Sequence, residues 1–288
     1  MHAFDLHSPT TLVEVHKLLD KHGEDARLLS GGTGLIQLME MRLSQPEHLV
    51  ALSRVQDLNF IERGDGVLRI GAMTSHRQVE TSPLVRAGLP LLAEVYSRVA
   101  SVRIRNMATV GGGLAHADPN QDPQSALIVL GAMAILASTE GTREVLIEDL
   151  SSGYYETSIG SNETLTEVVV PIPSCKVGHA FIKFLPRTAD DYATVSVSVL
   201  LSADSKGNCE NVRIALGSCG ATPLRARQAE NILEGKLPTP QRIRDAVETL
   251  LDEVDPSDDV RGSAEYKRQM ALVMTRRGLE EAWEKVAK

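Results

Sequence analysis

The chain has 288 residues, 42% hydrophobic and 24% charged, which describes a globular protein with enough apolar material for one large or two modest domains. A formal net charge of −8 and an aromatic content of only 3% exclude nucleic acid as a partner, because phosphates are repelled and stacking platforms are scarce. Three cysteines without C-x-x-C spacing are too few for a four-thiolate cluster and too odd for a disulfide framework, so reduced cysteines and no metal site are expected.

Met1-His2-Ala3-Phe4-Asp5 has neither a basic nor an apolar leader character, and no signal peptide is predicted. Ser8-Pro9 reads as a helix cap followed by proline at the first helical position, with Leu12, Val15, Leu18 and Leu19 repeating behind it at helical spacing. Gly23 is placed to close that helix in a left-handed conformation. Ala26-Arg27-Leu28-Leu29 reads as a strand running into Ser30-Gly31-Gly32-Thr33-Gly34, and a helix follows with Leu35, Leu38, Met39 and Leu43 on its buried side. His48-Leu49-Val50-Ala51-Leu52 returns as a strand, which makes the opening a small α/β unit.

Val67-Leu68-Arg69-Ile70 alternates like a half-buried strand, and helical stretches follow over 75–80 and 90–100. The second glycine cluster stands in Thr109-Val110-Gly111-Gly112-Gly113, again read as a turn. The apolar run 126–137, too short to span a bilayer, reads as a buried helix end and a buried strand, and 164–170 as a strand rich in β-branched residues. Pro171-Ile172-Pro173-Ser174 is the linker. Beyond it come strands over 180–185, 194–202 and 209–217, the last two joined by a turn at 204–208. Thr239-Pro240 then starts a helix with Ile243, Ala246, Val247, Leu250 and Leu251 on one face, and Ser263 caps the last helix.

Successive glycines at a strand-to-helix turn let backbone N–H groups converge on a phosphate, although a tight turn alone also selects glycine. A dinucleotide fingerprint fails on spacing, since its third glycine would fall at Gln37, and a P-loop fails because Leu35 rather than lysine follows Gly34. The second cluster lies 80 residues further on, and the pair suits a diphosphate clamped from two sides. Of the residues that follow it, Asp118 before Pro119 shapes a turn or ligates a metal, Asp122 could accept hydrogen bonds from ribose hydroxyls, and His116 reads as a hydrogen-bonded structural histidine. Lys183, Arg187, Asp190, Asp191 and Tyr192 are either an exposed strand end or a tyrosine covering a planar ring beside a carboxylate. Neither G-x-S-x-G nor a histidine-rich metal motif is present, so no hydrolytic or metal-dependent active site is expected.

Together these residues resemble the FAD-binding medium subunit of the molybdenum hydroxylases, the family of bacterial carbon monoxide dehydrogenase and of the flavin domain of xanthine dehydrogenase. The family motif Ala-Gly-Gly-x-Ser/Asp-Leu is resembled by Ser30-Gly31-Gly32-Thr33-Gly34-Leu35, and Thr-Ile-Gly-Gly-Asn/Asp by Thr109-Val110-Gly111-Gly112-Gly113. Leu114-Ala115-His116-Ala117-Asp118-Pro119, Lys183, Asp190-Asp191-Tyr192-Ala193 and Arg261-Gly262-Ser263-Ala264-Glu265-Tyr266 are similar to further family stretches in the same order. The chain departs at Gly34, where the family has serine or aspartate, and at Gly113, where it has asparagine, aspartate or serine. Each departure removes a side-chain hydrogen bond of about 0.5–1.5 kcal/mol.

The resemblance implies an α+β fold: a two-part FAD-binding domain of the vanillyl-alcohol-oxidase/PCMH type over 1–172, with subdomains of about 1–56 and 57–172. A domain of the CO dehydrogenase flavoprotein C-terminal type would follow over 178–288, a three-stranded antiparallel sheet plus a helical segment. It further implies that Ser30, Gly31, Gly32, Thr33, Gly34, Leu35, Thr109, Val110, Gly111, Gly112 and Gly113 hold the FAD diphosphate. Asp122, Leu165 and Lys183 match other flavin-contacting positions, and Asp191 and Tyr192 lie near the ring. The FAD is expected to be non-covalent, and no side chain is expected to act on the organic substrate. The expected partners are a large subunit with the molybdopterin cofactor and a small one with two [2Fe–2S] clusters, in a cytoplasmic dimer of heterotrimers that passes electrons to an external acceptor. The alternatives are a stand-alone flavoprotein oxidoreductase of the same fold and a scaffold subunit that has lost FAD.

Overall fold

The computed structural model describes residues 2–186, 188 and 190–287, so Arg187 lies outside the described residues. The first part consists of β1 (Asp5–His7), α1 (Leu12–His22), β2 (Ala26–Leu29), α2 (Leu35–Glu40) and β3 (His48–Ala51). β1 and β2 both pair with β3 in parallel, the arrangement that helical crossovers impose. Val15 and Leu19 of α1 pack on Ala26 and Val50 of the sheet, as the helical stripe predicts.

Three local details differ from the sequence reading. Thr11 rather than Ser8 caps α1, because its hydroxyl accepts from the Glu14 N–H while the Glu14 carboxylate returns to the Thr11 N–H. Gly23 ends that helix with positive φ (54°) but an extended ψ of −129°, outside the left-handed helical region. α2 stops at Glu40 because Arg42 (φ 62°) and the Leu43 N–H, which caps the Leu38 carbonyl at 2.8 Å, form a Schellman ending; Leu43 is carried out to solvent.

The second part runs through β4 (Ile61–Arg63), β5 (Val67–Gly71), α3 (His76–Thr81), α4 (Pro83–Gly88), α5 (Pro90–Ser97), α6 (Val102–Met107), α7 (Val110–His116) and α8 (Asp122–Leu130). It continues with β6 (Met133–Ser138), β7 (Gly141–Leu146), β8 (Ser151–Gly153), β9 (Glu156–Thr157) and β10 (Thr164–Pro171). Five strands form an antiparallel sheet in the order β4-β5-β10-β6-β7. Leu68, Ile70, Leu136, Val168 and Val170 share one core with Leu91, Leu92, Val95, Leu127 and Ile128 from α5 and α8. The second glycine cluster is not a turn: Gly111, Gly112 and Gly113 lie inside α7, capped by the Thr109 hydroxyl.

The third part is β11 (Gly178–Phe184), β12 (Val195–Ala203), β13 (Cys209–Gly217), β14 (Leu224–Arg225), α9 (Arg227–Leu233), α10 (Pro240–Glu248), α11 (Leu250–Glu253) and α12 (Ala264–Ala287). The antiparallel sheet has four strands, not three, because the two-residue β14 pairs with β13. A strand that short carries no periodicity to read. The helix after Thr239 breaks at Thr249, which leaves Leu251 exposed while Leu250 stays buried.

β12 joins the parts. Its Val195, Val197 and Val199 enter the core under α12, whereas Ser196, Ser198 and Leu200 point to the opposite face. That face is covered by α8, where the hydroxyls of Ser125 and Ser198 share a buried hydrogen bond of 2.8 Å. The period-2 serines are thus the polar seam between the second and third parts.

Candidate functional site

The turn from Ser30 to Leu35 connects β2 to α2 and is held from both sides. A Cβ at Gly31 would lie 1.9 Å from the carbonyl oxygen of Met107, and one at Gly34 would lie 2.8 Å from Nε2 of His116. Gly32 occupies the left-handed region at φ 72°. Among the described residues, no backbone carbonyl accepts from the N–H groups of Gly31, Gly32, Thr33, Gly34 or Leu35. Five successive donors therefore remain available at one turn, which is the chemistry an anionic ligand needs.

The second cluster lies against this turn, with a Cβ at Gly112 falling 3.2 Å from the Ser30 Cβ. Its own donors are spent inside the protein. Val110 N–H binds the Thr74 carbonyl, Gly111 N–H binds the Ala72 carbonyl at 2.8 Å, and Gly112 and Gly113 N–H groups turn to the Thr109 side chain and carbonyl. Glycine is needed here for close approach, since a Cβ at Gly111 would lie 2.6 Å from that of Ala72. The two motifs are brought together, one offering donors and the other a floor without side chains.

Neighbours fill the positions where the two departing glycines lack side chains. His116 stands against Gly34, and Gln121 Oε1 would lie 3.0 Å from a Cβ at Gly113. His116 packs edge-on to Tyr155 at 5.1 Å and is held below the usual histidine range by burial; among the described residues its ring makes no hydrogen bond of the kind expected from the sequence. Close by, buried His76 reaches the Thr109 carbonyl at 3.2 Å and is pushed down to about 4 by desolvation, which keeps it neutral.

Asp122 opens α8 and meets Lys183 of β11 in a buried ion pair of 2.7 Å, each side chain only 4% exposed. Lys183 also donates to the Arg98 carbonyl at 2.9 Å. Burial pushes the Asp122 carboxyl up to about 6 against the pull of Lys183 and, more remotely, Arg98. Its Oδ1 has no partner among the described residues. Beside the pair a cavity of about 600 Å³ is lined by Arg98, Arg105, Lys183 and Asp190 among others.

Asp191 and Tyr192 lie just before β12 and are positioned by Arg261. The guanidinium donates to Asp191 Oδ1 at 2.7 Å and to the Tyr192 carbonyl at 3.2 Å, and stands 5.5 Å over the tyrosine ring. That pairing holds the Asp191 carboxyl below the usual range. Burial, helped by the negative charge of the buried Asp118 carboxylate, holds the Tyr192 and Tyr155 phenols above the usual tyrosine range. Asp118 also shapes the turn expected of it, accepting the Asn120 N–H at 2.9 Å. Leu165 differs in kind: its side chain belongs to the sheet core, next to an irregularity in the pairing of β10 with β6.

Residues 2–173 match the family model described as the FAD binding domain in molybdopterin dehydrogenase, and residues 180–282 match the CO dehydrogenase flavoprotein C-terminal domain. This chain belongs to the FAD-binding family of the molybdopterin dehydrogenases. It is an oxidoreductase chain with an FAD-binding domain. The carbon monoxide dehydrogenase medium chain of Hydrogenophaga pseudoflava is 35% identical over 284 residues, 99% of this chain and 98% of that one. Its counterpart from Afipia carboxidovorans is 40% identical over 281 residues, 97% of this chain and 96% of the relative. Among solved structures, the carbon monoxide dehydrogenase from Hydrogenophaga pseudoflava that lacks the Mo-pyranopterin moiety superposes with a TM-score of 0.96 at 36% identity, covering 99% and 98% of the two chains. Quinoline 2-oxidoreductase from Pseudomonas putida 86 superposes at 0.92 with 33% identity, covering 99% of each chain.

The residues of this FAD-binding chain fit the cofactor on two observations: five backbone donors at the glycine turn and a buried carboxylate oxygen at Asp122 with no partner. Arg98, Gln121, Tyr155 and Arg261 also touch or position these groups, and the sequence did not single them out for it. Arg98 and Lys183 are 85 residues apart, and nothing local marks the one as neighbour of the other. Only Arg261, inside the final family stretch, carried a signal. No helix among the described residues is long and apolar enough to cross a membrane.

Proposed function

We propose that this chain is the electron-relay subunit of a cytoplasmic heterotrimeric molybdenum hydroxylase, assembled as a dimer of heterotrimers. Electrons released by a large molybdopterin subunit reach it through the [2Fe–2S] clusters of a small subunit and leave to an external acceptor. Bound non-covalently, FAD supplies the redox chemistry, and the chain's residues supply position and electrostatics. Ser30 to Leu35 would hold the diphosphate with backbone N–H groups, and Thr109 to Gly113 would form the bare floor beside them. Asp122 would accept a hydroxyl hydrogen bond, Lys183 would hold Asp122 in place, and Asp191 with Tyr192 would border the ring under the control of Arg261. Leu165 would contribute from the end of β10.

The observation that carries the reading is the run of five unspent N–H donors from Gly31 to Leu35, pinned between Met107 and His116. Two further points support it. The structural relatives carry names for substrates as unlike as carbon monoxide and quinoline, yet superpose over 98% or more of their length. A substrate pocket is therefore not what this fold preserves. The turn also offers backbone N–H groups, which suit holding an anionic cofactor rather than acid–base work on an organic substrate.

The test is an absorption spectrum of the purified chain before and after FAD addition and gel filtration, followed by co-expression with the large and small subunits. Retained FAD and co-purification with both partners are the expected results. Substrate turnover by the isolated chain would instead establish a stand-alone flavoprotein. Absence of flavin even in the assembled complex would establish a scaffold subunit.

A further inference from the structure

Three histidines separated by 15 and 26 residues meet at one edge of the first sheet. His7 ends β1, His48 begins β3 and His22 ends α1. One ligand nitrogen from each lies within 4.8 Å of the others. His7 Nε2 and His48 Nδ1 are 3.3 Å apart, and the His22 and His48 ring centroids are separated by 3.7 Å. His22 Nε2 is buried and has no hydrogen-bond partner among the described residues. The Asp5 carboxylate, next to His48 in the parallel ladder, approaches His48 Nδ1 to 3.7 Å.

We infer that His7, His22 and His48 form a binding site for a zinc-like divalent cation, with Asp5 or water completing the coordination. Two ligands at about 2.0–2.1 Å from one tetrahedral zinc are about 3.3–3.4 Å apart, the spacing of His7 and His48 here. Imidazole nitrogens select zinc, copper and nickel over calcium and magnesium, which take oxygen ligands. An orphaned buried nitrogen at His22 is the feature such an ion would satisfy. Parallel crossover topology brings the three residues together, since a strand end, a helix end and a strand start meet at one side of the sheet. Spacing gave no hint of this, because short zinc motifs carry their ligands in closely spaced pairs, whereas these three histidines stand singly along the chain. The bound ion would tie the end of α1 to the edge strand β1 and the central strand β3, the latter paired with β2, which feeds the glycine turn.

The test uses the full-length chain without a histidine tag, stripped with chelator, exposed to zinc chloride, desalted and analysed for metal and FAD. About one zinc per chain is expected, and His7→Ala, His22→Ala and His48→Ala should each lower retention by at least about tenfold. His179→Ala, outside the cluster, should retain zinc as the parent does. FAD content should stay at the parent value throughout, which separates this site from the flavin relay. Cobalt(II) on the parent chain provides a measurement that no variant's folding can obscure: intense visible bands of four-coordinate cobalt are expected. Zinc retention well below one per chain, retention unchanged in the three variants, or a weak six-coordinate cobalt spectrum would overturn the site.

Discussion

A Cβ at position 34 would lie 2.8 Å from Nε2 of His116, so glycine at one position and histidine at the other form a matched pair across the glycine turn. The family's serine or aspartate at 34 would occupy the volume that this ring fills. Gly34→Ser alone should therefore displace His116, loosen its edge contact with Tyr155 and weaken FAD binding by roughly tenfold, with stability falling by about 1–3 kcal/mol as in other overpacked sites. His116→Ala in the same chain should restore both. A double-mutant cycle on the FAD dissociation constant and on urea unfolding measures this, with a coupling of about 1 kcal/mol or more expected between neighbours in contact. Additive effects would mean that the two positions are independent.

Gly31 offers a sharper steric test, because the obstacle is backbone. Its Cβ would fall 1.9 Å from the Met107 carbonyl oxygen, and no rotamer relieves that contact. Gly31→Ala should push β2's outgoing turn away from the end of α6, abolish FAD retention and cost about 1–3 kcal/mol of stability. Gly64→Ala meets only the Val67 side chain at 3.3 Å and is the control, expected to bind FAD like the parent. Flavin content after gel filtration decides between them, and equal retention in both variants would remove the turn from the binding site.

Which parts of this arrangement were readable follows from how far each signal reaches along the chain. Leu12, Val15, Leu18 and Leu19 announce α1, and the alternating Val and Ser of β12 announce a strand, because periodicity is local. The triple glycine 111–113 was misread as a turn since glycine marks close approach as readily as reversal. Only the Ala72 backbone lying against Gly111 distinguishes the two. The Asp122–Lys183 pair and the serine seam join elements from different domains, and no local pattern carries such a contact. Family motifs made up part of that deficit. They named Lys183 and Asp191 without revealing that Arg98 and Arg261 hold them.

Arg261 is the clearest of these positioning residues. It donates to Asp191 and to the Tyr192 carbonyl and stands over the tyrosine ring. Arg261→Ala should free the 190–193 segment and shift the visible spectrum of bound FAD while leaving the diphosphate contacts, and hence FAD stoichiometry, intact. Arg261→Lys keeps the charge but loses the planar fork, so it should rescue only in part. A flavin spectrum and stoichiometry both identical to the parent in Arg261→Ala would show that the segment does not border the ring.

The buried pair of Asp122 and Lys183 gives stability a pH dependence of definite sign. Burial raises the folded Asp122 carboxyl to about 6, whereas an unfolded aspartate titrates near 3.9. Between these values the folded state holds a proton that the unfolded state has released, so stability from this group is full below about pH 4 and declines until about pH 6. Asp191, Glu80 and Asp259, whose carboxyls are held low, work in the opposite sense, but they are common to every variant and cancel in a difference. In urea unfolding, the stability of the parent minus that of Asp122→Asn should therefore fall as pH rises from 4 to 6. Lys183→Met removes the cation that restrains the shift, so the decline should extend towards neutral pH. At pH 7 it should also leave a buried carboxylate alone, at a cost of about 3–5 kcal/mol. The double variant Asp122→Asn with Lys183→Met should recover part of that loss, since no isolated charge remains. A difference curve that is flat across pH 4–6 would show that Asp122 titrates like an exposed carboxylate and that the pair is open to water.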